Sequence, residues 1–374
     1  MNSKKLNILF VTIAFPSTKD LYNGMFIKET AKCIAHEHNV TVLHCDTIRK
    51  TSSHSPGIFT ERIDNVDVVH VFIKESFLPK TLLTTLGILK GLNYIQPKFS
   101  IDLIHAHLFS SAIPFLWRLK NIPLVLTEHW SGFPLNQLGF LKIIAKLVMR
   151  RSKTVCPVSE FLRKSIESHG IKANFKVINN PVDLNYFFLK KKEPNNIIKI
   201  LTVARQDPIK GIDNLLVTVV QLSKQRNDFH LDIIGGGQHL EKYRTLSKQL
   251  QVEKYVTFHG KKDKSFVAQF MQGCNFLVNS SLSENQPVSI NEAICCGKPI
   301  VATSVGGNIE AINSKIGILV KPNDHKSLKD GMLFMCDNFK NYNPTEIADI
   351  GKLRYGFESI REQYQEVYKR AFSP

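Results

Sequence analysis

No apolar run in this chain reaches the ~20 residues that a bilayer-spanning helix needs, and the longest are interrupted by lysine or arginine. Cysteine is sparse and unorganised. The seven thiols are odd in number and follow no framework spacing, which argues against a disulfide scaffold and for a reducing compartment. The adjacent Cys295 and Cys296 read as small core residues of a helix. No internal repeat or low-complexity tract is evident, so solenoids are set aside. Carboxylates are in short supply: 49 Lys and Arg stand against 32 Asp and Glu, for a net charge of +17. The excess is +10 in residues 1–185 and +7 in the remainder. It implies a polyanionic partner, whether nucleic acid, an anionic membrane surface or a phosphorylated substrate.

What is present is ordinary globular material, with 43% hydrophobic and 22% charged residues over 374 positions, a length that favours two domains. Lys4 and Lys5 followed by Leu6–Phe15 loosely imitate a signal segment, but Asn7 interrupts the run and no small-residue cleavage site follows. A first buried parallel strand is the expectation. Short β-branched or apolar runs then alternate with amphipathic stretches, the pattern of β-α-β units. The first half predicts strands near 6–13, 40–45, 68–73, 102–106, 123–127, 153–156 and 175–178. Asn179–Asp183 and the stretch from Lys190 to Asn196 break the periodicity. The expected domains are therefore 1–185 and 186–354. Strands resume near 198–203, 229–234, 255–259, 275–279, 299–303 and 317–320, and 355–372 predicts a closing amphipathic helix.

The densest chemistry lies after the strand near 275–279, where a polar loop carries Glu284 and a helix beginning about Pro287, Val288 and Ser289 carries Glu292. Open α/β sheets bind ligands at the C-terminal ends of their strands. Free N–H groups at a new helix suit a diphosphate, and two carboxylates suit sugar and ribose hydroxyls. Arg205 and Lys210 follow the first strand of the same domain and can neutralise a departing diphosphate. Gly235 and Gly237 permit a close backbone approach or a tight turn. In the first domain, Gly24 precedes a helix from about Ile27 and could admit a phosphate to that helix start. His105-Ala106-His107 ends one strand and Glu128-His129-Trp130 the next. Two imidazoles on one strand face with a third nearby approach a zinc set, but no Cys or Asp stands at a supporting interval, and no metal is expected there.

The stretch from Glu284 to Glu292, continued by Ala293, Gly297, Pro299, Gly306-Gly307 and Glu310, resembles the Glu-x7-Glu signature of the glycosyltransferase 4 family. That resemblance implies a GT-B fold of two facing Rossmann-like domains, with the last helix, about 355–374, packing back on the first. It implies a retaining glycosyltransferase using a UDP- or GDP-linked hexose. Glu284 would contact the donor sugar and Glu292 the ribose. Arg205 and Lys210 would grip the diphosphate. His129 would face the hexose, with His107 on the acceptor side. Gly24, Gly235, Gly237, His259 and Gly260 would frame the nucleotide. Asn285-Gln286 departs from the family pattern, where a glycine and an aromatic residue are frequent, and leaves the sugar open. No Asp-x-Asp pair occurs, so the expectation is no cofactor and no divalent metal, with the diphosphate neutralised by cations and helix N–H groups.

Residues 77–94 and 138–151 are basic and amphipathic, the latter carrying Lys142, Lys146, Arg150 and Arg151. Such helices can lie in an anionic headgroup layer. The expected setting is the cytoplasmic face of a membrane, with a sugar or lipid-linked acceptor. Two alternatives remain open: a nucleotide-sugar epimerase of the same architecture, and a non-enzymatic polyanion-binding protein. Nucleic acid is not the expected partner, because basic and aromatic residues are not interleaved.

Overall fold

Strands buried on both faces must be apolar nearly throughout, and the runs that nucleate this chain are of that kind. The computed structural model describes residues 5–17, 20, 22–49, 55–133, 139–191 and 196–373. Lys4, Leu138 and residues 192–195 of the expected inter-domain break lie outside the described residues. Contacts divide the chain into two units, Met1–Pro181 with Ile360–Pro374, and Val182–Ser359.

In the first unit the order is β1 (Asn7–Thr12), α1 (Met25–Ala35), β2 (Asn39–Ile48), β3 (Gly57–Ile63), β4 (Val66–Lys74), α2 (Lys80–Ile95), β5 (Leu103–His107), β6 (Leu124–Glu128), α3 (Leu141–Arg151), β7 (Thr154–Pro157) and α4 (Glu160–Ser168). A 3-10 segment, Phe109–Leu116, follows β5. The sheet runs β3-β4-β2-β1-β5-β6-β7 and is parallel except for the β3/β4 hairpin. Leu9, Val11, Leu43, Ile104 and Leu126 from its centre pack with Ile88 and Leu92 of α2 and Val148 of α3. Burying each such side chain contributes about 1.5–3 kcal/mol.

Two features depart from the sequence reading. Strand β3 was not expected. It is an edge strand whose Thr60, Glu61 and Arg62 are exposed, and the turn at Asp64 and Asn65, with φ of 48° and 65°, is a hairpin turn of the type whose twist suits antiparallel strands. Conversely, 175–178 forms no strand and makes a single bridge between Val155 and Phe175. Lys176 N–H donates to Val155 O and Ile178 N–H to Pro157 O, but Pro157 has no N–H with which to return a bond, so the ladder stops.

The second unit comprises β8 (Ile198–Val203), α5 (Ile212–Ser223), β9 (Phe229–Ile234), α6 (Leu240–Gln249), β10 (Val256–Gly260), α7 (Lys264–Gly273), β11 (Phe276–Asn279), α8 (Val288–Cys295), β12 (Ile300–Thr303), α9 (Gly307–Ala311), β13 (Gly317–Val320), α10 (His325–Asn338) and α11 (Pro344–Tyr355). Its parallel sheet runs β10-β9-β8-β11-β12-β13. Ile200, Leu231 and Val278 join a core with α5 and α10, while Leu201, Leu277 and Ala302 join another with α7, α8 and α11. Helix starts are written in the sequence: Asp263, Asp324 and Asn343 each accept N–H bonds from the first turn they precede.

The closing helix, α12 (Phe357–Ala371), begins in the second unit and ends in the first. There Tyr368 Oη lies 2.8 Å from His105 Nδ1, and Tyr364 Oη lies 3.0 Å from Thr127 Oγ1, which is itself 2.7 Å from His105 Nε2.

Candidate active site

A doubly wound sheet leaves a crevice where its strand order reverses, because the loops leaving the two neighbouring strands diverge to opposite faces. In the second unit that point lies between β8 and β11, and in the first between β1 and β5. The chemistry-bearing residues gather at these two places, each described within its own unit.

The loop after β8 carries Arg205 and Lys210, and the loop after β11 carries Glu284. These loops interlock: Leu282 N–H donates to Ile209 O at 2.7 Å, and Ser280 Oγ to Lys210 O at 2.9 Å. Gly211, with φ of 62°, allows this, since a Cβ there would lie 2.3 Å from Ser280 O. The result is an ion pair across the reversal point, Lys210 Nζ to Glu284 Oε1 at 2.6 Å, with Ser281 Oγ donating to the same oxygen at 2.7 Å. Both ionic side chains are mostly buried. Arg205 is different: its side chain is 77% exposed and paired with Asp207.

Helix α8 starts beside this loop. Pro287 offers no side-chain cap, and the first intrahelical bonds come from Ile290 and Asn291 to Pro287 O, so the N–H groups of Val288 and Ser289 precede the ladder and point out of the helix start. Glu292 sits half-buried one turn further along. Gly235 and Gly237 wrap the β8 loop, and a Cβ on either would lie 1.9 Å from Ala204 O or 2.7 Å from Gln206 O respectively. Their glycine character is thus required by packing of backbone on backbone. The ring of His259 is committed to Asp232 Oδ1, at 2.6 Å, and packs against Phe270, while Gly260 O accepts the N–H of Gly235 at 2.9 Å.

In the first unit Gly24, with φ of 68°, closes onto the loop after β1, where a Cβ would lie 2.3 Å from Ala14 O. It sets the start of α1, whose Phe26 ring lies 4.5 Å from the ring of His129. His107 Nδ1 is 3.2 Å from His129 Nε2, with the rings nearly parallel. Burial lowers the pKa of His129 to about 3 and that of His107 well below its usual range, so both are neutral at physiological pH. His107 is fully buried, and its ring stacks against that of His129. Helix α3 presents Phe140, Ile143 and Leu147 at 76%, 68% and 48% exposure, with Lys142, Lys146 and Arg150 at four-residue intervals beside them. Arg151 does not join that stripe. It lies three residues from buried Val148 and folds back to donate to the carbonyls of Lys120 and Ile122.

Two side chains that the sequence reading left without a role, Ser281 and Glu128, hold these groups in place. Ser281 bonds Glu284, and Glu128 bonds the backbone on both sides of the His107–His129 pair. Their only signal in the sequence is adjacency.

The chain matches the model for "Glycosyl transferases group 1" over residues 183–344 and that for "Glycosyltransferase Family 4" over residues 24–186. It is 29% identical over 254 residues to an uncharacterised glycosyltransferase of Methanocaldococcus jannaschii, covering 66% of this chain and 69% of that protein. It is 26% identical over 319 residues to a subunit of the human phosphatidylinositol N-acetylglucosaminyltransferase, covering 81% of this chain and 64% of that protein. Among solved structures, that of Anabaena HepE in complex with UDP and glucose superposes with a TM-score of 0.76 at 17% identity, over 98% of this chain and 99% of that one.

Proposed function

Because the chain belongs to the glycosyltransferase 4 family and has the GT-B fold of two Rossmann-like sheets, we propose that it moves a hexose from a nucleoside-diphosphate sugar to a lipid-linked or polysaccharide-precursor acceptor, with retention and without a divalent metal. The observation that carries this reading is the Lys210–Glu284 pair set across the β8/β11 reversal beside the uncapped start of α8. A diphosphate needs cations and N–H donors; Lys210, the exposed Arg205, and the N–H groups of Val288 and Ser289 supply them. Glu284, fixed through one oxygen, has the other for sugar hydroxyls, and Glu292 serves the ribose. His129, neutral and therefore able to donate or accept, addresses the hexose.

Retention without a carboxylate that the sequence marks as a nucleophile points to front-face attack. The acceptor oxygen bonds to the anomeric carbon as the bond to the phosphate oxygen breaks, and that phosphate oxygen takes the acceptor proton. Cations around the leaving diphosphate lower the barrier because its charge grows as the bond opens.

Charge and relationship both support an acceptor presented at a membrane. Between residues 76 and 153 the only carboxylates are Asp102, which accepts Asn7 N–H at 2.8 Å, and buried Glu128. The exposed stripe of α3 can enter an anionic headgroup layer, each basic residue contributing about 1 kcal/mol. The human relative, by its name, acts on phosphatidylinositol. Attachment to the cytoplasmic face, without a spanning helix, follows from this reading.

The test is a thermal-shift panel of UDP, GDP, ADP and their sugars. A ligand at 100 times its Kd stabilises the folded state by about 2.7 kcal/mol. UDP, with HepE as precedent, is the first expectation. If no nucleotide or nucleotide sugar at millimolar concentration moves the transition, the donor site is wrongly assigned.

A further inference from the structure

Glu128 is the last residue of β6, has no exposed surface, and lies among apolar and aromatic neighbours where an ionisable group is costly. Its partners are all backbone. Oε2 accepts the N–H of Phe109 at 2.9 Å, and Oε1 accepts the N–H groups of His129 and Trp130, each at 2.9 Å. Phe109 opens the segment after β5, while His129 and Trp130 follow β6. One carboxylate therefore ties together the ends of two neighbouring strands. We propose that Glu128 is the positioning residue of the His107–His129 pair, its carboxylate holding the two strand ends so that the imidazoles meet. The proposal rests on the reading of His129 as the hexose-facing group only for its bearing on catalysis.

The choice of residue follows from donor and acceptor counting. Three N–H groups converge, and only an ionised carboxylate presents two oxygens with nothing but acceptor capacity. Glutamine would turn an NH2 toward at least one of these N–H groups. Aspartate, one methylene shorter, cannot reach both strand ends at once. The tie also has a load to hold. Leu108, between His107 and Phe109, has φ of 73° and ψ of 132°, a conformation that costs a non-glycine residue energy. It is secured by Leu108 N–H to Thr127 O at 2.9 Å on one side and by the Phe109–Glu128 bond on the other. The rings of Phe109, Trp130 and Phe133 close over the knot at centroid distances of 5.6–5.8 Å and keep water from replacing the carboxylate.

Burial raises the Glu128 carboxyl to about 7 against the pull of its three N–H donors, so the tie loosens by protonation near neutrality. Other titratable groups flank these strand ends, including His169, whose ring lies 6.0 Å from that of Phe133 and whose Nε2 lies 2.9 Å from Phe133 O. His105 and His129 are held at about 3 and His107 well below its usual value by burial, and Tyr364 and Tyr368 are raised well above 10.

The experiment uses the full chain with ring-labelled histidine and heteronuclear NMR, resonances being assigned with His107→Asn and His129→Asn. In Glu128→Gln the ring signals of His107 and His129 shift and their inter-ring cross-peak is lost, while those of His230 and His259, in the other unit, stay in place. Glu128→Asp gives the same loss. In the unaltered protein the two ring signals change together as the pH falls from 8 through 6, and this arm holds whether or not the variants fold. Unchanged His107 and His129 signals in a folded Glu128→Gln, or a wild-type spectrum flat across that pH range, would overturn the proposal. No sugar nucleotide enters these measurements. If the NMR outcome is as expected but His129→Ala transfers hexose as well as wild type, the assignment of His129 fails and the positioning role of Glu128 stands.

Discussion

Replacing Tyr368 by phenylalanine removes one oxygen from a site with no exposed surface to spare. Tyr368 and Tyr364 are each 1% exposed and His105 is fully buried. Burial keeps His105 neutral, its pKa lowered to about 3, so one ring nitrogen is a donor and the other an acceptor. In the native protein Tyr368 Oη serves Nδ1 at 2.8 Å and Thr127 Oγ1 serves Nε2 at 2.7 Å. Phenylalanine fills the same apolar volume, leaves no cavity for water, and strands Nδ1. The cost of an unsatisfied buried polar group is about 1–3 kcal/mol. In a unit of roughly 200 residues each kcal/mol lowers the midpoint by about 2–4 °C, so a fall of roughly 2–12 °C is expected. Tyr364→Phe should cost less, because Thr127 retains its bond to His105. The assay is built in: the only two tryptophans, Trp117 and Trp130, both belong to the first unit, so intrinsic fluorescence follows that unit alone in a chain that need not unfold in one step. A Tyr368→Phe transition within about 0.3 kcal/mol of wild type, or a larger loss in Tyr364→Phe, would show that the hydroxyl is not what secures α12.

Other outcomes can be checked directly. Glu292→Gln should weaken nucleotide binding in calorimetry, whereas Glu284→Gln should mainly lower turnover; unchanged affinity and rate in both would move the site elsewhere. Glu284→Gln also leaves Lys210 mostly buried without its anionic partner, so a lowered unfolding midpoint in the absence of nucleotide is expected. Transfer should persist in EDTA, and complete loss restored by Mn²⁺ would contradict a metal-free diphosphate site. Changing Lys142, Lys146 and Arg150 to Glu should abolish sedimentation with anionic liposomes at low salt, while Arg151→Glu should instead lower stability by breaking its bonds to Lys120 O and Ile122 O. Acid should weaken the first unit: His105 and His129, at about 3 when folded and 6.5 when not, bind protons first in the unfolded chain, so their stabilisation is complete above 6.5 and is lost toward 3. Glu128, raised to about 7, acts in the opposite sense but is one group against these and the likewise lowered His38, His70 and His107. The urea midpoint by tryptophan fluorescence should be lower at pH 5 than at 7.5, and a higher one would reverse the assignment of neutral buried histidines.

The parallel strands could be read from the sequence because burial on both faces forces apolar runs such as Ile8–Val11 and Ile198–Val203. Strand β3 could not, because an exposed edge places no demand on Thr60, Glu61 and Arg62, and only its turn residues betray it. The segment 175–178 looked like a strand on its own merits, and the obstacle was Pro157 in its neighbour. At the site, residue types and spacing pointed to Glu284 and Lys210, and the family resemblance to His129, but not to the contacts each of them makes. The 2.6 Å pair joins positions 74 apart and depends on the strand order, which places β8 beside β11. Helical periodicity put Arg151 among its basic neighbours, yet its three-residue offset from Val148 turns it toward the backbone of Lys120 and Ile122.

The return of α12 to the first unit also sets the order in which the protein can be made. A ribosome delivers residues 1–181 before 182–359, and His105 and Thr127 then lack the hydroxyls of Tyr368 and Tyr364, which emerge only after the second unit. The contiguous unit Val182–Ser359 can close as soon as it clears the exit tunnel, so the half of the molecule translated first is completed second. Until then His105 Nδ1 lacks the partner that Tyr368 supplies.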